Sequence, residues 1–195
     1  MDSGFAKRAI MRMDNYDYTQ AGPYFLTICL YNKQQLLGRI TGQSGLTHTP
    51  AGRMIHQVWM NMPRYNPGLV LDEFIVMPDH FHAIIGFVDP KIWRAHWPAT
   101  TDCEVDSLES LDAKQLHVSD IVRRFKNQTI KQYKKGVEQE GWPPYSRQLW
   151  QRGFWDRIIR NERDLQNHRE YIYNNVAAKH LDQFKQDPQV QQKSQ

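Results

Sequence analysis

Cysteine is scarce in this chain: two in 195 residues, Cys29 in an apolar stretch and Cys103 in a polar one. Two isolated thiols build neither a disulfide framework nor a thiolate zinc site, so both are expected to be free and any metal must be held by nitrogen and oxygen. Long apolar runs are also missing. No stretch approaches the ~18 residues of a membrane span, and the N-terminal MDSGFAKRAIMRMDNYDY has no apolar signal block. A cytoplasmic location without a membrane partner is expected. Charge of one sign is modest: a net +4 and a pI near 9.0 permit a polyanionic partner without demanding one, so placement matters more than the total.

What is present is apolar and aromatic material, 40% and 12% of the residues, enough for one domain with a core over residues 1–195. YFLTICLYN (Tyr24 to Asn32) reads as a strand after the turn signal AGP. AGRMIHQVWMNM reads as a helix, because Ile55, Val58, Trp59 and Met62 recur at helical spacing. LVLDEFIVM and HFHAIIGFV make two strands joined at Pro78-Asp79. Residues from about 89 to 114 lose periodicity and read as an inserted loop.

The second half resumes with a helix from Val118 to Lys135. Val118, Ile121, Val122, Phe125, Thr129 and Tyr133 lie on one face, and Arg123, Arg124, Lys131, Lys134 and Lys135 on the other. LWQRGFWDRIIR follows as a last strand. NERDLQNHREYIYNNVAAKHL is a C-terminal helix with Asn161 placed to cap it, and a polar tail begins near 182. The order β-α-β-β-α-β-α is α+β. It predicts a ferredoxin-like or RRM-like split βαβ antiparallel sheet, with helices on one face and an added C-terminal helix.

In VMPDHFHAIIGF, two histidines stand one residue apart in a strand built for burial. Strand side chains alternate, so His80 and His82 share a face about 7 Å apart and can close on one ion. A bare His-x-His also suits a solvated sheet face. On the C-terminal helix Tyr171 and Asn175 share a face, with His168 on the flank of a stripe of Leu165, Ile172 and Val176. Such residues are also common at an ordinary helix boundary.

Three blocks in this order, MPDHFH after a strand, LWQRGFWDRIIRNERDL and REYIYNN, resemble the REP-associated tyrosine transposases, relatives of the single-tyrosine HUH transposases. The likeness runs from about Tyr18 to Asn175, apart from the loop. It implies a metal held by His80, His82 and Asn175, a nucleophile at Tyr171, and Mg²⁺ or Mn²⁺ as the ion. It also implies a single-stranded DNA endonuclease and strand transferase acting on REP-type hairpins through a 5′-phosphotyrosine intermediate. Asp79 stands where relatives often have Asn, and Val176 where they often have Pro. The loop has no counterpart, which bears on DNA specificity rather than on catalysis.

The chemistry can be argued from the residues themselves. Two neutral imidazoles and a neutral amide leave a divalent ion its full charge for phosphate oxygens, and such a mixed site suits Mn²⁺ or Mg²⁺. A tyrosyl phosphate ester conserves the cleaved bond for rejoining, which a water nucleophile does not. Tyr173 competes for the role, but it lies roughly 160° from Asn175 around the helix. For DNA contact, the basic residues Arg123, Arg124, Lys126 and Lys131 could follow phosphates, or form a plain solvated face. Arg152, Trp155, Arg157 and Arg160 interleave cations with an aromatic ring. Of Phe154 and Trp155, one at most is expected to stack on a base.

Two other classes fit less of this pattern. One is a binding module of the same fold without catalysis. The other is a phosphohydrolase, which wants carboxylates and has only Asp72, Glu73 and Asp79 nearby, with Asp79 expected on the face away from His80. The chain suits either a monomer or a homodimer.

Overall fold

PYFLTIC, Pro23–Cys29 (β1), alternates half-buried and buried residues, and this period of two lays Tyr24, Leu26 and Ile28 on one side of a sheet and Phe25 and Thr27 on the other. The computed structural model describes residues 23–41, 45–66, 68–87 and 117–186, with the side chains of the last helix described as far as Asn175. After a 3₁₀ turn at Tyr31–Lys33 come β2 (Gly38–Thr41), β3 (Gly45–His48), α1 (Pro50–Met60) and the short α2 (Met62–Tyr65). They are followed by β4 (Leu69–Val76), β5 (His80–Phe87), α3 (Val118–Glu140), β6 (Trp155–Ile158) and α4 (Glu162–Gln186). The main sheet has the order β4-β5-β1-β6, every neighbour antiparallel, which is the expected ferredoxin-like arrangement.

The β4–β5 turn is tight because Pro78 cannot extend the ladder, and the Met77 N–H closes it on the His80 carbonyl at 2.8 Å. β5 then runs beside β1 in a register pairing Cys29 with His80, Thr27 with His82 and Phe25 with Ile84. Both histidines therefore project from the same face as Phe25 and Thr27. The opposite face carries the main core, in which α1 and α3 bury Ile55, Trp59, Ile121, Val122 and Phe125 against Tyr24, Leu26, Phe81 and Ile85. The Trp59 ring sits 4.8 Å from Phe81 and 5.0 Å from Phe125, centroid to centroid. Burying side chains of this kind stabilises the fold by roughly 1.5–3 kcal/mol each.

Helix α4 covers the histidine face. Leu165 and Ile172 reach down to Ile84 and Ile159, with Phe25, Val70 and Ile75 around them. This second apolar contact is small, which leaves the rest of that face to polar residues. Asn161 Oδ1 accepts the Asp164 N–H at 2.8 Å and so caps α4, as its sequence placement indicates.

Several elements depart from expectation. The sequence reading passes over residues 38–48, where β2 and β3 form a separate two-stranded sheet. Strands of four residues carry too little alternation to be seen. Gly52 lets α1 dock beneath this hairpin, since a β-carbon there would lie 1.9 Å from the Leu37 carbonyl. Helix α3 runs past Lys135 to Glu140. Gly136 is not its end but the seat of the Trp142 ring, and Gly141, at φ 69, supplies the left-handed cap. Of residues 149–160 only Trp155–Ile158 is strand, because Lys126 Nζ takes the carbonyls of Gln151 and Gly153 at 2.7 and 2.9 Å.

The inserted loop at 89–114, Cys103, Tyr18 and the chain beyond Gln186 lie outside the described residues, as does the side chain of Val176, while residues 182–186, expected as the start of a polar tail, continue α4. Among the described residues no helix is long and apolar enough to cross a membrane.

Candidate active site

Strand β5 presents the two imidazoles edge to face, with ring centroids 4.6 Å apart and planes at 75°. Each ring is fixed by an oxygen on its Nδ1. His80 Nδ1 lies 2.7 Å from Asp79 Oδ1, and His82 Nδ1 lies 2.9 Å from Thr27 Oγ1. A carboxylate only accepts, so His80 Nδ1 carries the proton and Nε2 the lone pair. The Thr27 hydroxyl can accept as well as donate, so His82 can take the same tautomer, with its lone pair on Nε2. Asp79 corrects an expectation here: it belongs to the turn rather than to the strand, so alternation does not govern it and its carboxylate swings back to His80.

Helix α4 brings the remaining residues across this face. The Tyr171 ring stands 5.3 Å from the His82 ring at 74° and 5.8 Å from Phe25. Half of Tyr171 (51%) is exposed, so its hydroxyl end can meet a ligand. One turn on, Asn175 is 7% exposed, an amide turned into the protein on the Tyr171 side of the helix. Tyr173 is 86% exposed and has no part in the cluster. Phe25 is the shared floor, stacked on His82 at 5.2 Å and tilted against His168 at 4.8 Å.

Beside Tyr171 opens a cleft of about 790 Å³, walled by Trp155, Arg157, Ile158 and Arg160 from β6 and its end, and by Asp164, Asn167 and His168 from α4. Trp155 shows 41% of its surface there, while Phe154 packs on the core, so one of the two aromatics is available to a ligand. The Arg157 guanidinium is 3.4 Å from Asp164 Oδ1. His168 Nδ1 donates to the Asp164 carbonyl at 2.7 Å. Arg152 is exposed just before β6.

The basic residues of α3 are elsewhere, because the apolar side of that helix packs on the opposite face of the sheet. Arg123 pairs with Asp120 at 2.6 Å. That hydrogen bond holds the Asp120 carboxyl below its usual range. Arg124 donates to the Asn66 side chain and the Tyr65 carbonyl. Lys126 is spent on the two carbonyls already named, and burial pushes its ammonium down to about 8. Lys131 is exposed.

Among the described residues no three of His, Cys, Asp and Glu converge on one point. The two imidazoles are the pair of donors seen side by side, and the Asn175 amide is buried one turn beyond Tyr171. Sequence reasoning missed Phe25, Thr27 and Asp79 as supports. The Thr27 hydroxyl in YFLTICL, on the face that alternation gives to Phe25, was the available signal.

No protein-family profile matches the chain. An uncharacterized protein of Haemophilus influenzae is 31% identical over 183 residues, which is 94% of this chain and 96% of that protein. Among solved structures, a REP-associated tyrosine transposase bound to a REP hairpin superposes with a TM-score of 0.53 at 23% identity, over 87% of this chain and 74% of that one. The chain thus belongs to one family with the Haemophilus influenzae protein, and it has the fold of a REP-associated tyrosine transposase.

Proposed function

We propose that this protein is a metal-dependent endonuclease and strand transferase for single-stranded DNA, acting on REP-type hairpins through a phosphotyrosine link at Tyr171. The observation that carries it is the half-exposed Tyr171 phenol edge-on to His82, with His80 beside it and Asn175 one turn away. The solved relative in fold is bound to a REP hairpin, which supplies the substrate class.

The residues fit a divalent ion. Both rings have Nδ1 engaged by an outer oxygen, the pattern that aims Nε2 at a metal and holds the ring still. His80, His82 and Asn175 would hold Mn²⁺ or Mg²⁺, which would give positive charge to the non-bridging oxygens of the scissile phosphate.

The chain's own groups do the rest. Tyr171 gives its phenolic proton to solvent water, its oxygen attacks phosphorus, and a phosphotyrosyl bond forms as the bond to the 3′ oxygen breaks. The departing 3′ oxygen takes up a proton to become a hydroxyl, and the 5′ phosphate stays on the protein. Attack by a 3′-hydroxyl reverses the step and frees Tyr171. Trp155 offers a stacking surface for a base, with Arg157 and Arg160 for neighbouring phosphates. These three alone would also serve a module that only binds.

The test is to incubate the protein with 5′-extended, labelled REP-type hairpin DNA and Mn²⁺, and to look for a protein–DNA adduct that survives denaturation. Tight binding with no adduct leaves the binding module. Cleavage with no adduct indicates water as the nucleophile.

A further inference from the structure

Strand β4 carries a register shift between Leu71 and Phe74. Val70 before it and Ile75 after it both face α4, so the extra residue sits between two stretches that would otherwise alternate out of step. At that point Asp72 is turned under α4, its side chain only 5% exposed. Its Oδ1 accepts the N–H of Glu73 at 2.5 Å, which steadies the bulge. Arg169 meets it from α4 with both prongs: Nε donates to Oδ1 at 3.0 Å, and Nη2 donates to Oδ2 at 2.5 Å. Glu162 is a looser third partner, 3.9 Å from the guanidinium.

The position of this fork on the helix gives it a use. Taking about 100° per residue from Leu165, Ile172 falls within about 20° of it, Arg169 lies about 40° to one side, and His168, Asn175 and Tyr171 lie about 60°, 80° and 120° to the other. The apolar contact is a narrow keel. The fork holds one side of it, and the candidate nucleophile and amide ligand hang on the other. The His168 and Tyr171 rings lean on Phe25 on the nucleophile's side of the keel and the fork anchors the other side, so losing the fork leaves the helix held unevenly and able to roll about its axis. A roll of roughly 20° carries a side-chain tip about 2 Å on an outer radius of about 5–6 Å. Displacements near 1 Å cost on the order of 10²-fold in a reaction that depends on alignment. A planar guanidinium bound at two points to a carboxylate resists that roll, which a single-point ammonium does not.

We propose that the Asp72–Arg169 fork is the latch that sets the roll of α4 and so positions Tyr171 and Asn175 over His80 and His82. Both are positioning residues, since neither reaches the cleft. The inference rests on the reading of Tyr171 as nucleophile.

The experiment compares full-length wild type with Asp72→Asn, Arg169→Lys and the double variant Asp72→Asn/Arg169→Met. The double variant leaves no orphan charge under the helix and so carries the test if a single variant fails to fold. Amide hydrogen exchange is measured over α4 and α3 without DNA or metal. The adduct rate is then measured at saturating hairpin with Mn²⁺, at a temperature where circular dichroism shows every variant folded.

In Asp72→Asn and in the double variant, exchange in α4 up to Asn175 should quicken about tenfold while α3 stays unchanged. The saturated adduct rate should fall at least about tenfold, with the half-saturating hairpin concentration within about twofold of wild type. Arg169→Lys should fall between. Unchanged exchange in α4 overturns the latch, and so does a loosened α4 with an unchanged saturated rate. If wild type forms no adduct, the reading of Tyr171 fails separately, and the exchange data still decide whether the fork holds the helix.

Discussion

The phenol ring of Tyr171 meets the imidazole of His82 edge-on, at a centroid separation of 5.3 Å and an interplanar angle of 74°. One ring comes from a helix and the other from a strand beneath it. Helix packing therefore delivers the hydroxyl-bearing group to the imidazole pair. Tyr171→Phe removes only the hydroxyl, so the ring still packs on Phe25 and His82. Adduct formation should stop while hairpin affinity stays within about twofold. Tyr173→Phe, altering an exposed ring, should form adduct at the wild-type rate. A denaturing gel of labelled hairpin reads both, and adduct from Tyr171→Phe would remove that residue from the reaction.

His80→Ala and His82→Ala should each lose cleavage, as should wild type in EDTA, with folding and most hairpin binding retained. Thr27→Val deletes the oxygen on His82 Nδ1 but no direct ligand. It should weaken Mn²⁺ binding by about 10- to 100-fold, measured by calorimetry on DNA-free protein. Equal Mn²⁺ affinity in Thr27→Val and wild type would show that Thr27 does not orient the ring.

The charged groups divide by what they already hold. Arg157 and Arg160 line the cleft, so replacing either with Gln should lower the slope of log affinity against log salt by about one. Trp155→Ala should cost roughly 1–3 kcal/mol of binding to the single-stranded flank. Arg124 and Lys126 are tied to Asn66 and to the carbonyls of Gln151 and Gly153. Arg124→Gln and Lys126→Met should leave the slope unchanged. Salt titrations of hairpin binding check all five, and a slope reduced by Lys126→Met would return that ammonium to the DNA surface.

Stability should depend on pH through two groups that burial shifts with opposite effect, the half-buried Lys126 and the buried Tyr133. Burial lowers Lys126 to about 8 from 10.5. Between those values the unfolded chain keeps a proton that the folded chain has released, so stability rises with pH from about 8 towards 10.5. Tyr133 is raised by burial to about 12 from 10.0, so above pH 10 the folded chain keeps a proton that the unfolded chain loses and stability falls. Urea midpoints between pH 7.5 and 9.5 should climb in wild type and stay level in Lys126→Met. An equal climb in both would assign the rise to another group.

Alternation along YFLTICL and HFHAIIGF already places His80 and His82 on one face, and helical spacing already unites Tyr171 with Asn175. Periods of two and 3.6 are local properties, so the sequence by itself determined the three long strands and the three long helices, the strand order they permit and the pairs within each element. It could not determine which partner each pair meets. Thr27 on His82, Asp79 swung back to His80, Phe25 as common floor and Asp72 under Arg169 all depend on strand register, on a turn that leaves the alternation and on a bulge in β4. Those follow from long-range packing. The same holds for the division of the arginines and lysines: on a helical wheel Arg124 and Lys126 look like cations open to DNA. Only the docking of α2 and of the segment before β6 decided otherwise, because it brings the Asn66 side chain and the Tyr65, Gln151 and Gly153 carbonyls within reach of these two side chains.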